Sequence, residues 1–282
     1  MRVIRQAHHM ARTAAALRRQ GQTIGFVPTM GALHDGHLAL IRAARHQNRV
    51  VVISLFVNPL QFGPQEDYAR YPRDLRRDLN LAKAAGADIV FAPDASQVYP
   101  SGFCTSVEVE GLSDSLEGAC RPGHFRGVAT VVTKLLNLVQ PAAVYVGQKD
   151  YQQALIIQRL IKDLNLPATF HMLPTVREPD GLAMSSRNQS LTPQQRAQAS
   201  VVARALEAAK ARIQEGERDA RRVAQTVRAR LSRVPAARVE YVAVVQAKTL
   251  EPLTRLAGRV AILVGVRLGT IRLIDNILVD VP

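Results

Sequence analysis

Residues 24–44, IGFVPTMGALHDGHLALIRAA, join three kinds of segment without a spacer. Ile24, Phe26 and Val27 form a short apolar run of the kind a buried strand shows. Pro28, Thr29, Met30 and Gly31 break it, and Leu38, Leu40, Ile41 and Ala44 then recur at helical spacing. A strand, a glycine turn and a helix in that order place backbone N–H groups at a helix N-terminus, where the macrodipole favours an anion. His34 and His37 stand three apart on the first helical turn, so their imidazoles face one way. Gly36 between them has no side chain to keep a large planar ligand off the backbone. Zinc is the weaker reading, because the metalloprotease pattern H-E-x-x-H spaces its histidines by four. A nucleoside triphosphate fits better: the two imidazoles donate to phosphate oxygens as charge builds on departing pyrophosphate.

The whole chain, 282 residues, is long enough for one large or two ordinary domains. Its 47% apolar and 21% charged residues are the profile of a soluble globular protein. No window approaches the ~18 apolar residues of a membrane helix. The basic start, MRVIRQAHHMARTAAALRRQG, lacks the apolar centre of a targeting peptide and reads as a helix over 1–20. Cys104 and Cys120 make no metal or redox pattern, which predicts a reduced, cytoplasmic protein. A net charge of +14 raises nucleic acid as a partner. However, no run of five or six like charges occurs, aromatics are 5% and Trp is absent, so no base-stacking surface is written in the sequence. Neither a specific nucleic acid nor a membrane is expected as a partner.

Continuous apolar runs mark further strands. Val50–Val57, Asp88–Phe91 and Val144–Val146 have the pattern of parallel strands covered on both faces. Thr105–Val109 alternates like an edge strand, and Phe170–Val176 closes the first domain. Helices are predicted to end near His46, Ala85, Val139 and Leu164. Beyond residue 176, Thr192-Pro193 starts a long helix to about Gln214 and a second helix runs over 219–234. Three strands follow, at 239–245, 260–266 and 271–274. The expectation is an α/β catalytic domain over 1–175 and a smaller α+β lid over 176–282, hinged near 175–181.

Three other stretches carry chemistry. Asn58 and Gln61 lie just past the end of a parallel strand, where open α/β sheets bind ligands. In Gly147-Gln148-Lys149-Asp150, a glycine at a strand end lets a nucleotide lie on the backbone. Lys149 reaches phosphate there and Asp150 accepts ribose hydroxyls. Met184-Ser185-Ser186-Arg187 offers two hydroxyls and an arginine as a phosphate clamp, with Arg187 meeting charge on the leaving pyrophosphate. Arg121 and His124 stand before a helix as candidate pocket-wall residues.

PTMGALHDGH (28–37), FVNPLQF (56–62), GQKDYQQ (147–153) and MSSRN (184–188) together resemble the pantothenate synthetase (pantoate–β-alanine ligase) family, in that family's order and over nearly the whole chain. GHFRGV (123–128) is also similar. The resemblance implies a Rossmann-like parallel-sheet domain of the H-x-G-H nucleotidylyltransferase type. It further implies condensation of pantoate with β-alanine at the expense of ATP, through a pantoyl adenylate, and a homodimer. By the same resemblance His37, His34, Lys149 and Arg187 are catalytic. ATP then falls to Met30, Gly31, His34, Gly36, His37, Gly147, Gln148, Lys149, Asp150, Val176, Met184, Ser185, Ser186 and Arg187. Gln61, Gln153, Asn58 and Met30 fall to pantoate. Mg2+ is expected with ATP; its protein ligands are unassigned, with Asp74 and Asp78 as candidates where Arg76-Arg77 replaces hoped-for acidic residues. The alternatives are another nucleotidylyltransferase or synthetase relative sharing the histidine motif, and a basic nucleic-acid-binding protein.

Overall fold

The computed structural model describes residues 1–64 and 66–282. Contacts divide the chain into two units, Met1–Gln148 with Gln153–Pro174, and Lys149–Gln152 with Thr175–Pro282. The sequence places the break after 175; here Thr175 and the four residues from Lys149 go with the C-terminal part.

In the first unit the strands are β1 (Arg2–Ile4), β2 (Ile24–Thr29), β3 (Val50–Leu55), β4 (Ile89–Phe91), β5 (Ala143–Gly147) and β6 (Thr169–Leu173). They form one parallel sheet in the order β1-β4-β3-β2-β5-β6. The helices of this part of the chain are α1 (Ala7–Arg19), α2 (Asp35–Gln47), α3 (Leu75–Ala85), α4 (Ala95–Val98), α5 (Glu117–Cys120), α6 (His124–Val139) and α7 (Tyr151–Asp163). Two cores lie against the sheet. One gathers Phe26, Val52, Val132, Val144 and Ile156, the other Val27, Ile41, Val51, Ile53 and Tyr145. Adjacent residues of β2 thus bury to opposite faces, which is why that strand reads as an unbroken apolar run.

The strand order has a switch point. From β2 the chain steps through β3 to β4 on one side, then returns to place β5 and β6 on the other. The order reverses between β2 and β5, and open α/β sheets bind ligands beyond the carboxyl ends of the strands at such a switch point. The residues that leave those two ends are Met30 and Gln148.

In the second unit β7 (Ala237–Gln246), β8 (Gly258–Leu268) and β9 (Ile271–Val281) make an antiparallel sheet with β8 central. Helices α8 (Pro193–Ala199), α9 (Val201–Gln214) and α10 (Ala220–Leu231) precede it, and Leu206, Val223, Val227, Ile262 and Val264 share its core.

Four sequence expectations are corrected. The N-terminus is a strand before it is a helix: Ile4 is 4% exposed and β1 pairs with β4, with Arg2 donating its N–H to the Asp88 carbonyl at 2.8 Å. Thr105–Val109 is not a strand. Its alternating valines pack on the core instead, and Val107 donates its N–H to Thr130 Oγ1 at 2.9 Å. The long helix from Pro193 is interrupted at buried Ser200, giving α8 and α9. The strand expected over 170–176 ends at Leu173, where its partner β5 ends at Gly147 and Pro174 follows.

Candidate functional site

The turn after β2 is built by hydrogen bonds that leave no latitude. Thr29 Oγ1 donates to the Ser54 carbonyl at 2.6 Å and accepts the Gly31 N–H at 3.2 Å. The Asp78 carboxylate accepts the N–H of Ala32 and of Leu33, each at 2.8 Å. Burial pushes the Asp78 carboxyl up, and those two donors offset only part of it. Gly31 sits at φ +84°, and a Cβ there would lie 2.9 Å from Asp78 Oδ2, so only glycine suits the position.

That turn delivers His34 as the N-cap of α2. Its Nδ1 accepts the Gly36 N–H at 3.2 Å, and His37 Nδ1 accepts the His34 N–H at 3.4 Å. A ring nitrogen that accepts is unprotonated, so these contacts assign the ring proton of each neutral imidazole to Nε2. The ring centroids are 4.1 Å apart. Two imidazole donors therefore stand side by side at the N-terminus of a 13-residue helix that follows the strand flanking the switch point.

Past β3, Asn58 caps a short 3₁₀ turn, Pro59–Gln61. Asn58 is 1% exposed, and its amide bonds the Leu60 N–H, the Gln61 side chain, the Gly127 carbonyl and the Tyr99 hydroxyl. These bonds fix the Asn58 side chain against Gln61. Gln61 Nε2 is 3.1 Å from Met30 Sδ, which brings the second motif onto the first. Arg121 and His124, the candidate wall residues, both bond the Gln61 carbonyl, at 3.2 and 2.8 Å. Burial and then the Arg121 charge hold the His124 imidazole down at about 4. Burial raises the Glu66 carboxyl, but the Arg121 hydrogen bond and charge outweigh it and leave Glu66 below its ordinary value. Close approach of α6 to Gln61 depends on Gly127, where a Cβ would meet the Leu60 carbonyl oxygen at 2.3 Å.

At the end of β5, Gly147 passes into a 3₁₀ turn, Gln148–Asp150, and then α7. Gly147, Gln148 and Gln153 belong to the first unit and Lys149 and Asp150 to the second. Lys149 Nζ is 3.3 Å from Asp150 Oδ1, with the aspartate 45% exposed, so this pair is weak. The Lys149 carbonyl accepts Asn276 Nδ2 at 3.0 Å and the Tyr151 hydroxyl donates to Ala247 O at 2.8 Å, which ties these residues into the second unit.

Also in the second unit, Val176 and Met184 face each other across a tight reversal at Gly181. Met184 donates its N–H to the Val176 carbonyl at 3.0 Å, and Glu178 donates to Leu182 O at 2.8 Å. Arg177 is anchored on Asp275 at 2.6 and 3.1 Å, although burial still pushes the Asp275 carboxyl up. Ser185 accepts the Arg187 N–H at 3.3 Å and so starts a 3₁₀ turn, Ser186–Ser190. Glu178 binds Asn188 at 2.7 Å and Arg196 at 2.5 Å, which fixes the far end of that loop.

The structure gives the two candidate metal carboxylates other partners. Asp78 holds the Met30–Leu33 turn, and Asp74 caps α3 by accepting the Arg77 N–H at 2.9 Å. Among the described residues no group of three or more His, Cys, Asp or Glu is placed to hold a metal ion. Sequence reasoning had no role for Glu66 or Gly127. A glycine inside an otherwise Val- and Leu-rich helix was the available signal for the second.

Comparison with known proteins agrees with this geometry. The family model described as pantoate-beta-alanine ligase matches residues 2–278. A pantothenate synthetase of Moorella thermoacetica is 56% identical over 267 residues, 95% of this chain and 94% of its own length. The crystal structure of pantothenate synthetase from Thermus thermophilus superposes with a TM-score of 0.94 at 48% identity, covering 98% of this chain and 99% of the other. A pantoate-beta-alanine ligase from Francisella tularensis, complexed with beta-gamma ATP and beta-alanine, gives 0.80 at 34% identity, covering 99% and 97%. With motifs, sheet order and full-length similarity in agreement, this chain belongs to the pantoate–β-alanine ligase family.

Proposed function

We propose that the side chains at the β2 and β5 ends and in the Met184–Arg187 loop carry out the ATP-dependent condensation of pantoate with β-alanine. The observation that carries this is the histidine pair: two neutral imidazoles 4.1 Å apart at a helix N-terminus, with their protons assigned to Nε2. In the first step a pantoate carboxylate oxygen attacks the α-phosphorus of ATP and the bond to pyrophosphate breaks. A carboxylate is already a competent nucleophile, so this step needs positioning and charge stabilisation rather than a base. His37 and His34 supply hydrogen-bond donors from Nε2 as charge develops on the departing pyrophosphate, and Lys149, Ser185, Ser186 and Arg187 bind phosphate. Gly31, Gly36, Gly147, Gln148, Asp150, Val176 and Met184 complete the nucleotide contacts. Gln61 and Gln153 hold pantoate, with Asn58 shaping the wall beside them and Met30 covering it. In the second step the β-alanine amine attacks the acyl carbon, the C–N bond forms as the acyl C–O bond to phosphate breaks, AMP leaves, and the amine proton passes to solvent.

Mg2+ enters with ATP as part of the substrate, held by phosphate oxygens. The C-terminal unit acts as the lid that keeps water from the adenylate, and the assembly is a homodimer, as the family resemblance implies. Two exposed cysteines, Cys104 and Cys120, suit a reducing cytoplasm, and no helix among the described residues is long and apolar enough to cross a membrane. Pyrophosphate release, measured with pantoate and with amino acids in its place, tests the function. Release that needs pantoate is expected, and no response to pantoate ends the proposal.

A further inference from the structure

Gln61 is gripped at its side chain and at its backbone by different residues. The side-chain grip has a definite polarity. Asn58 Oδ1 accepts the Leu60 N–H at 3.3 Å while Asn58 Nδ2 donates to the Gly127 carbonyl at 3.0 Å. A main-chain N–H only donates and a main-chain carbonyl only accepts, so the Asn58 amide has one orientation. Its Nδ2 therefore donates to Gln61 Oε1, at 3.0 Å, and Gln61 turns its Nε2 the other way, toward Met30 Sδ at 3.1 Å.

The backbone grip is equally defined. A guanidinium has no acceptor, so Arg121 Nη1, at 3.0 Å, must donate to His124 Nε2. The proton of that neutral ring is thus on Nδ1, which donates to the Gln61 carbonyl at 2.8 Å. Arg121 Nη2 donates to the same oxygen at 3.2 Å. Glu66 completes the chain by accepting from Arg121 Nε and Nη2 at 2.7 and 2.5 Å. His124 is 8% exposed.

We propose that Glu66, Arg121 and His124 are a positioning triad for Gln61, holding its backbone so that Nε2 is offered as a donor to an acceptor oxygen of the acid substrate. The inference rests on the reading of Gln61 as the pantoate-binding residue. The three residues act through the Gln61 backbone, while Asn58 holds Oε1 and leaves Nε2 as the free donor, a contact that favours carboxylate or hydroxyl oxygens and refuses an ammonium.

The test is steady-state kinetics of the full chain, with KM for pantoate and for ATP measured separately. An asparagine amide reproduces a donor at the Nδ1 position and a glutamine amide does not. His124→Gln is therefore expected to raise the pantoate KM about tenfold, the scale of one lost hydrogen bond. His124→Asn should restore it, and the ATP KM should stay unchanged in both. In a Gln61→Ala background His124→Gln should add nothing further, whereas general damage to the fold would add its effect again. Should His124→Gln fail to fold, Glu66→Ala at the outer end of the triad is expected to raise the pantoate KM about threefold. Folded His124→Gln or Glu66→Ala chains with unchanged pantoate KM, beside a Gln61→Ala chain with raised KM, would overturn the triad alone. An unchanged pantoate KM in Gln61→Ala would overturn the reading beneath it as well.

Discussion

Asp78 Oδ1 accepts the backbone N–H of Leu33 at 2.8 Å, across 45 residues of sequence. Its second oxygen does the same for Ala32, so one carboxylate closes the turn that leads into the histidine pair. Asp78→Asn replaces one acceptor by an amide donor facing a backbone N–H. The expected loss is about 1–3 kcal/mol, the cost of an unsatisfied buried donor, together with slower adenylate formation. Urea unfolding and pyrophosphate release measure the two; full stability and rate in the variant would mean that the turn holds itself.

His37→Ala removes one imidazole donor while leaving the buried face of α2 untouched. Pyrophosphate release is expected to fall about 10²–10³-fold, the scale for losing one transition-state donor. Circular dichroism should be unchanged. A rate within threefold of the parent chain would remove His37 from the chemistry.

Gly127→Ala puts a methyl group 2.3 Å from the Leu60 carbonyl oxygen and 2.7 Å from the Gln61 nitrogen, both backbone atoms. Neither neighbour is a flexible side-chain end, so α6 or the Pro59–Gln61 turn has to move. A loss of about 1–3 kcal/mol, typical of overpacking, and a raised pantoate KM are expected in thermal melts and kinetics. The KM for ATP serves as the internal reference.

Acid should weaken the fold through His124. Its imidazole is lowered from 6.5 to about 4, so between those values the unfolded chain binds a proton that the folded chain refuses. Stability is therefore present at neutral pH and lost as pH falls through that window, by roughly 3 kcal/mol. Glu66, held below its ordinary value by Arg121 despite burial, adds loss in the same direction at lower pH. Urea titrations at pH 7 and pH 4 should show His124→Asn losing less than the parent chain; equal losses would place the proton elsewhere.

Much of the sheet was legible because parallel strands bury both faces. Ile24–Val27, Val50–Leu55 and Val144–Val146 carry that in their composition. β1 was not legible: it has three residues, two of them exposed, inside a basic stretch that has helical spacing further on. Thr105–Val109 alternates as a strand would, yet its valines find the core without a ladder, and a side-chain hydroxyl takes the Val107 N–H. The switch point between β2 and β5 depends on strand order, which local pattern does not encode. At the candidate site, Gln61 is proposed from its place after a strand and the histidines from their spacing. The roles of Asp78 and Glu66 could not be read in this way, because one acts on backbone N–H groups and the other on a guanidinium, both distant in sequence, and for Gly127 the only signal was a glycine inside an apolar helix.

The assignment of Lys149–Gln152 to the second unit has a consequence for cutting the protein. The polypeptide enters that unit at Lys149, leaves it after Gln152 and returns at Thr175, so three peptide junctions join the two parts. No single scission yields both halves whole. A fragment stopping at Pro174 keeps Lys149 and Tyr151 but loses Asn276 and Ala247, the groups that bond them. Reassembly from two separately expressed pieces would therefore succeed only when the C-terminal piece can recapture that four-residue segment from the other.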